Sequence, residues 1–93
     1  MAWRIKFSKV AQKQFEKLPK NIQANINAYL LKLLDNPRAY GKTLKNYEII
    51  ASLKKYKKLW RYRIESYRII VDIQDYILTI LILKIDKRDK VYK

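Results

Sequence analysis

Hydrophobic residues in the first third of the chain change from alternate spacing to helical spacing. Residues 3–7 alternate between apolar and basic side chains, which predicts a half-buried strand. Ser8 is a favoured helix N-cap, and the helix that it begins must end at Pro19 because proline cannot continue a helix interior. A second amphipathic helix is expected from about Asn21 until Asn36-Pro37 ends it.

The second half of the chain is rich in β-branched and aromatic residues. Residues 38–53 contain Gly41, the single glycine, and predict a basic connector with a short turn of structure around residues 47–51. The last predicted strand is nearly all apolar, which indicates a central strand covered on both faces. Three strands are expected after the connector, at residues 58–64, 67–73 and 76–85.

This β-α-α-β-β-β order predicts an α+β fold in which two N-terminal helices pack on one face of an antiparallel sheet. A chain of 93 residues, of which 49% are hydrophobic, can bury one core, so we expect a single domain over residues 1–93. The N-terminus lacks the apolar stretch of a signal peptide, and no segment has the length of a membrane span. We therefore expect a cytoplasmic protein outside the membrane.

Charge points to a class of partner. The chain has 22 Lys and Arg against 8 Asp and Glu, a net charge of +14. Such an excess repels itself and favours a polyanionic partner, with nucleic acid as the first inference. A generic basic surface or an acidic protein partner would also explain the charge. The absence of cysteine excludes disulfides and suits a reducing compartment.

The first two strands of the C-terminal half place three arginines on one face if Glu65-Ser66 is a two-residue turn. In that register Arg63 faces Arg68, and alternation puts Arg61 on the same side. Like charges in this arrangement favour a bound anion, and the guanidinium group matches a phosphate in geometry. The face therefore predicts a phosphate site. The alternative is three solvated arginines, partly balanced by Asp72.

The C-terminal segment is a second basic cluster. Tyr92 could stack on a base or transfer a proton, and Lys87 and Arg88 could contact phosphate. A charged tail that is merely solvated is the alternative explanation.

The residue types that are missing restrict the chemistry. There is no histidine or cysteine to act as general base or thiol nucleophile, and the scattered acids show no metal-ligand spacing. We therefore expect no cofactor and no metal. RNA carries its own nucleophile, the 2′-hydroxyl, so cleavage needs only positioning, charge stabilisation at the phosphate and proton transfer by groups such as tyrosine or lysine.

The chain resembles the RelE/ParE superfamily of bacterial toxins over nearly its whole length. The resemblance rests on the element order, on Leu44-Lys45, on LWRYRIESYRII at residues 59–70 and on KRDKVY at residues 87–92. RelE-type members cleave messenger RNA in the ribosomal A site without a metal and are inhibited by a cognate antitoxin. The resemblance implies a toxin of a type II toxin-antitoxin system. It would be an endoribonuclease that forms a cyclic phosphate, with ribosome, mRNA and antitoxin as partners, the last in a heterotetramer or similar complex.

The same resemblance assigns roles to individual residues. Arg61 and Arg68 correspond to the residues that bind and stabilise the scissile phosphate. Arg88 would lie near the leaving oxygen, and Tyr92 near the attacking 2′-hydroxyl. Arg63 would be a supporting contact. The remaining basic residues expected to bind RNA are Lys57, Lys58, Lys87 and Lys90.

Three departures from the family pattern affect this assignment. Leu59 stands where some RelE-type members have a lysine, Lys87 where many relatives have a histidine, and Glu65-Ser66 in place of the common Gly-Asp turn. ParE-type relatives share the fold but inhibit DNA gyrase, and they generally lack the full set of arginines with the terminal tyrosine. Retention of that set favours the nuclease. A non-catalytic RNA-binding or ribosome-binding protein is a third possibility.

Overall fold

A computed structural model describes residues 3–44, 53, 55–56 and 59–87 of the chain. The predicted turn at 47–51 lies outside these residues. The described elements are the strands β1 (Arg4–Phe7), β2 (Lys42–Thr43), β3 (Leu59–Ile64), β4 (Tyr67–Gln74) and β5 (Thr79–Lys87), the helices α1 (Lys9–Glu16) and α2 (Lys20–Leu33), and a 3-10 turn (Asp75–Ile77).

The strands form one sheet in the order β1-β5-β4-β3-β2, with the two helices packed on one face. This confirms the predicted α+β class. The sheet is mixed, because β1 runs parallel to β5 whereas the other neighbours are antiparallel. The expectation of a wholly antiparallel sheet came from hairpins between consecutive strands, and no hairpin constrains the direction of β1 relative to the distant β5.

Helix α1 begins where the sequence predicts. The Ser8 side chain accepts a hydrogen bond from the backbone N–H of Ala11 at 3.1 Å, which satisfies one of the free donors of the first turn. The Ser8 hydroxyl also donates to the Leu83 carbonyl at 3.2 Å, and the backbone N–H of Ile85 donates to the Gln14 side chain at 2.7 Å. Polar groups of α1 therefore hold the helix against the edge of β5.

Strand β5 is central and covered on both faces, as its apolar sequence predicts. Its helix-facing residues join the main core, whereas Leu83 lies in a smaller cluster on the opposite face of the sheet. A bulge follows in β5, since Ile82 pairs with Val71 but Lys84 pairs with Ile70, and this shift returns Ile85 to the helix side. The smaller cluster consists of Leu44, Leu53, Leu59, Ile70 and Leu83.

Residues 76–78, which the sequence predicts as the start of this strand, lie before it. They belong to the 3-10 turn and to Leu78, which has a φ of 49°. Tyr76 is 90% exposed. The predicted strand therefore begins three residues too early. Its first residues, 76–78, connect β4 to β5 and are not part of the strand.

The hairpin between β3 and β4 has the predicted register. Ile64 pairs with Tyr67, so Glu65-Ser66 is a two-residue turn. Glu65 adopts a φ of 54°, which a residue with a side chain visits rarely. A turn without glycine, asparagine or aspartate therefore forms in the conformation that those residues favour.

Candidate nucleic-acid interface

Arg61, Arg63 and Arg68 lie on one face of the sheet, opposite the face that carries the helices. Arg63 pairs directly with Arg68 across the hairpin, as predicted, and Arg61 pairs with Ile70. The intervening residue Tyr62 points the other way and is buried in the main core. We call these three residues the arginine face.

The three arginines differ in burial. Arg68 is only 7% exposed, Arg61 is half-buried and Arg63 is exposed. The arginine face is therefore not the uniformly solvated surface of the alternative explanation. It presents one guanidinium held in place within the protein and another that is open to solvent.

Asp86 is the carboxylate next to Arg68. It pairs with Arg68 in the β4–β5 register, and its oxygens lie 3.4 Å and 3.5 Å from the Arg68 nitrogens Nε and Nη2. Lys84 Nζ lies 3.7 Å from the same carboxylate. Asp72, the acid that the sequence places near the arginines, pairs with Leu59 on the same side of the sheet and accepts a hydrogen bond from Gln74 at 3.0 Å. Sequence reasoning missed Asp86 because its alignment with Arg68 depends on the bulge in β5.

Leu59 is on the same side of β3 as Arg61 but is 4% exposed, in the smaller apolar cluster. The position at which some RelE-type toxins carry a lysine is therefore a covered apolar site here. Burial of an unpaired charge is costly, so the leucine fits these surroundings better than a lysine would.

Lys87 is not brought to the arginine face. It pairs with Tyr67, and its Nζ lies 5.9 Å from the centroid of the Tyr67 ring. Strand alternation explains this, because the neighbouring Asp86 already points to the arginine face. The remaining predicted site residues lie outside the described part of the chain: Lys57, Lys58, Arg88, Lys90 and Tyr92.

The comparisons with known proteins agree with this fold. The model of a family described as the ParE toxin of the type II toxin-antitoxin system parDE matches residues 5–92. The RelBE2 toxin-antitoxin complex of Mycobacterium tuberculosis contains a chain that is 25% identical, with a TM-score of 0.76, covering 95% of this chain and 100% of that chain. No curated protein sequence matches significantly.

Two further solved complexes share the fold. The archaeal RelE–RelB complex of Pyrococcus horikoshii has a chain with 23% identity and a TM-score of 0.75, covering 98% of this chain and 100% of that chain. The RelBE complex of E. coli has 17% identity and a TM-score of 0.70, with coverage of 92% and 96%. Neither helix in the described part of the chain is long and apolar enough to cross a membrane.

A family match over residues 5–92, on a sheet with this arrangement of helices, defines the class of protein. The chain belongs to the RelE/ParE superfamily and is a toxin of a type II toxin-antitoxin system. The resemblance seen in its sequence is thereby confirmed.

Proposed function

We propose that this toxin is a ribosome-dependent, metal-independent endoribonuclease that cleaves messenger RNA and so inhibits translation. The observation that carries the proposal is the arginine face, in which the exposed Arg63 stands directly opposite the buried Arg68. Two like charges in register on adjacent strands cost stability unless an anion lies between them. A phosphodiester is an anion of suitable geometry for two guanidinium groups.

In the proposed reaction the 2′-oxygen attacks the adjacent phosphorus and the bond from phosphorus to the 5′-oxygen breaks. The products are a 2′,3′-cyclic phosphate and a free 5′-hydroxyl. Arg61 and Arg68 stabilise the negative charge that grows on the phosphate oxygens, and Arg63 supports substrate binding. Arg68 is suited to this task because its guanidinium is already held beside Asp86 before substrate arrives.

Two roles in the reaction are assigned to the C-terminal segment on the strength of the family resemblance. Tyr92, in its deprotonated form, would take the proton of the 2′-hydroxyl. Arg88 would stabilise the negative charge on the leaving 5′-oxygen, which then takes a proton from water. Lys57, Lys58, Lys87 and Lys90 would contribute further phosphate contacts. The position of Lys87 on the other side of β5 suits a contact with flanking RNA or ribosomal RNA, away from the scissile phosphate.

We propose that the toxin acts in the cytoplasm as a single domain over residues 1–93 and is held inactive by a cognate antitoxin. The solved relatives are toxin-antitoxin complexes, which supports an antitoxin partner. With a net charge of +14, the toxin is best neutralised by an antitoxin segment rich in acidic residues. A heterotetramer or a similar complex is the expected assembly.

The test is cleavage of a defined messenger RNA on ribosomes that hold it in the A site, read by primer extension. We expect cuts that require both toxin and ribosome and that persist in excess chelator. Intact messenger RNA at saturating toxin would contradict the proposal.

A second function, inhibition of DNA gyrase, is favoured by one observation: the family model that matches is that of the ParE toxins. A gyrase supercoiling assay with the same preparation separates the two. If supercoiling is inhibited and messenger RNA stays intact, the toxin is a gyrase inhibitor and not a nuclease. If the toxin neither cuts messenger RNA nor inhibits supercoiling, the remaining explanation is a non-catalytic RNA-binding or ribosome-binding protein.

A further inference from the structure

A cleft of about 220 Å³ opens beside the arginine face, where the chain enters the short strand β2. Strand β2 pairs with β3 at Lys42 and Thr43, and the residues just before it run past the ring of Tyr62. The cleft is lined by Tyr29, Tyr40, Gly41, Lys42, Arg61 and Arg63. It therefore shares two arginines with the proposed phosphate site.

One wall of the cleft is aromatic. The Tyr29 and Tyr40 rings meet edge to face with their centroids 6.0 Å apart, and Tyr29 also packs against Tyr62 at 5.7 Å. Tyr29 is held in place, since its hydroxyl donates to the Tyr40 carbonyl at 3.4 Å. Tyr40 is 52% exposed, so much of its surface is open for contact with a ligand. The aromatic wall thus consists of a fixed inner ring and an accessible outer ring.

The backbone that carries Tyr40 is fixed by its neighbours. A Cβ added at Gly41 would come within 2.6 Å of the Tyr62 ring and 2.8 Å of the Arg61 carbonyl oxygen, so only glycine allows this close approach. Nearby, both Arg38 terminal nitrogens bond to the Asp75 carboxylate at 2.8 Å, and this hydrogen bonding raises the pKa of Arg38. The connector is therefore anchored on both sides of Tyr40.

The remaining wall is cationic. Lys42 pairs with Arg61 across β2 and β3, so the two side chains point to the same side of the sheet, and Arg63 follows at the next position on that side. Lys32 Nζ lies 5.9 Å from the Tyr40 ring and 5.7 Å from the Tyr29 ring. None of the described residues that line the cleft is acidic.

We infer that this cleft binds one nucleotide of single-stranded RNA, with its base against Tyr40 and its phosphate on Lys42, Arg61 and Arg63. The inference rests on the proposed function, because the bound nucleotide would be a neighbour of the scissile one. Flat rings next to cations are the combination with which proteins bind single strands, since every base has a stacking face and every linkage a charge. An acidic peptide would satisfy the cations but would make no use of the exposed part of the Tyr40 ring.

The experiment compares two fluorescent oligonucleotides of equal length that both carry 2′-O-methyl groups, which prevent cleavage. One is a short oligouridylate and the other has the same backbone without bases. At low salt, we expect the full-length toxin to bind the oligouridylate more tightly, and Tyr40→Ala to weaken that binding about 10-fold, a typical effect for loss of one stacked base. Tyr40→Ala should leave the affinity for the abasic strand nearly unchanged.

Two further variants serve as controls. Tyr40→Phe keeps the ring and should bind RNA like the original chain. Tyr76→Ala removes an equally large ring that is 90% exposed and does not line the cleft, so it should have no effect. Circular dichroism of each variant checks that the fold is retained.

The inference is overturned if the original toxin binds the two oligonucleotides equally, or if Tyr40→Ala and Tyr76→Ala have the same effect. It is also wrong if Tyr40→Ala weakens binding of the antitoxin and leaves RNA affinity unchanged, since the cleft would then belong to the protein partner. Because these strands cannot be cut, the result is independent of the cleavage assay. If the toxin fails to cleave messenger RNA, the proposed function is wrong, but the result of this binding measurement remains valid.

Discussion

Arg63 and Arg68 lie directly opposite each other on the β3–β4 hairpin, the first exposed to solvent and the second almost fully buried. Asp86 lies beside the buried arginine on β5, so we expect the exposed Arg63 to be the cation that adds repulsion to the free protein. Under the proposed function this geometry attracts a phosphate to a fixed guanidinium, and we expect it to lower the stability of the unbound toxin.

Replacement of Arg63 should therefore stabilise the fold. We expect Arg63→Gln to raise the free energy of unfolding by about 0.2–1 kcal/mol, the usual range for a cross-strand pair. Arg4→Gln is the matched control, because Arg4 is exposed on β1 and pairs with the neutral Thr79. Urea unfolding of both variants measures the difference. A larger loss of stability for Arg63→Gln than for Arg4→Gln would show that the pair is not repulsive.

The same variants test the contact with RNA through its salt dependence. A single strand releases counterions when it binds. In a plot of the logarithm of affinity against the logarithm of salt concentration, each neutralised phosphate therefore adds about −0.7 to the slope. We expect Arg63→Gln to reduce the steepness by roughly one such step. Arg4→Gln, on the far edge of the sheet, should keep the original slope. Equal slopes for all three proteins would exclude Arg63 from the phosphate contacts.

Gly41 is predicted to be intolerant of a side chain. Gly41→Ala should lower the free energy of unfolding by about 1–3 kcal/mol, the cost of forcing an extra methyl group into an occupied space. The clash with the ring predicts a coupling: Tyr62→Leu should reduce the additional cost of Gly41→Ala. Thermal unfolding of the two single variants and the double variant measures it. If the losses in free energy of unfolding of the two single variants simply add in the double variant, the Tyr62 ring does not cause the clash. The added methyl group would then clash with the Arg61 carbonyl alone.

Tyr62 gives the fold a dependence on high pH. Its hydroxyl donates to the Pro37 carbonyl at 2.5 Å, and burial, with a smaller effect from Tyr29, raises its pKa above the ordinary 10.0. Above that pH the unfolded chain loses this proton and the folded chain keeps it, so unfolding becomes easier as pH rises. The contribution is complete below the ordinary pKa and declines by up to about 1.4 kcal/mol per pH unit above it.

Tyr62→Phe removes both the hydrogen bond and this titration. The variant should be less stable by about 1 kcal/mol near neutral pH. Its deficit should shrink as the pH is raised past 10.0, the ordinary pKa of the lost hydroxyl. Urea unfolding at neutral and alkaline pH tests this. A constant deficit across the range would mean that the Tyr62 hydroxyl ionises as easily in the folded protein as in the unfolded one.

The local features of the fold could be predicted from the sequence. Ser8 caps α1 and the Glu65-Ser66 turn sets the register that joins Arg63 to Arg68, because caps and hairpins are determined by residues close together in the chain. The parallel pairing of β1 with β5 joins residues about as far apart as the chain allows, and no local pattern specifies it.

The missed parts of the site share this non-local origin. Asp86 lies beside Arg68 only because a bulge shifts the register of β5. The Tyr29 ring contacts the Tyr40 ring only because the connector folds back over α2. Lys87 was expected to contact RNA as part of the basic C-terminal cluster, and strand alternation directs it to the side of the sheet opposite the arginine face. Its predicted contact with RNA remains a prediction.

The catalytic role proposed for the arginine face is tested most directly at Arg68. Single-turnover cleavage on programmed ribosomes, at saturating toxin, should slow on the order of 100-fold or more for Arg68→Ala, the typical effect of losing one preorganised donor to a transition state. Arg68→Lys keeps the charge but loses the planar fork, so its cleavage rate should lie between those of the original toxin and Arg68→Ala. Arg4→Ala should cut at the original rate. Ribosome affinity should change little in any of them, because many phosphate contacts remain. If a folded Arg68→Ala variant cuts messenger RNA as fast as the original toxin, the arginine face is not the catalytic site and the proposed mechanism is wrong.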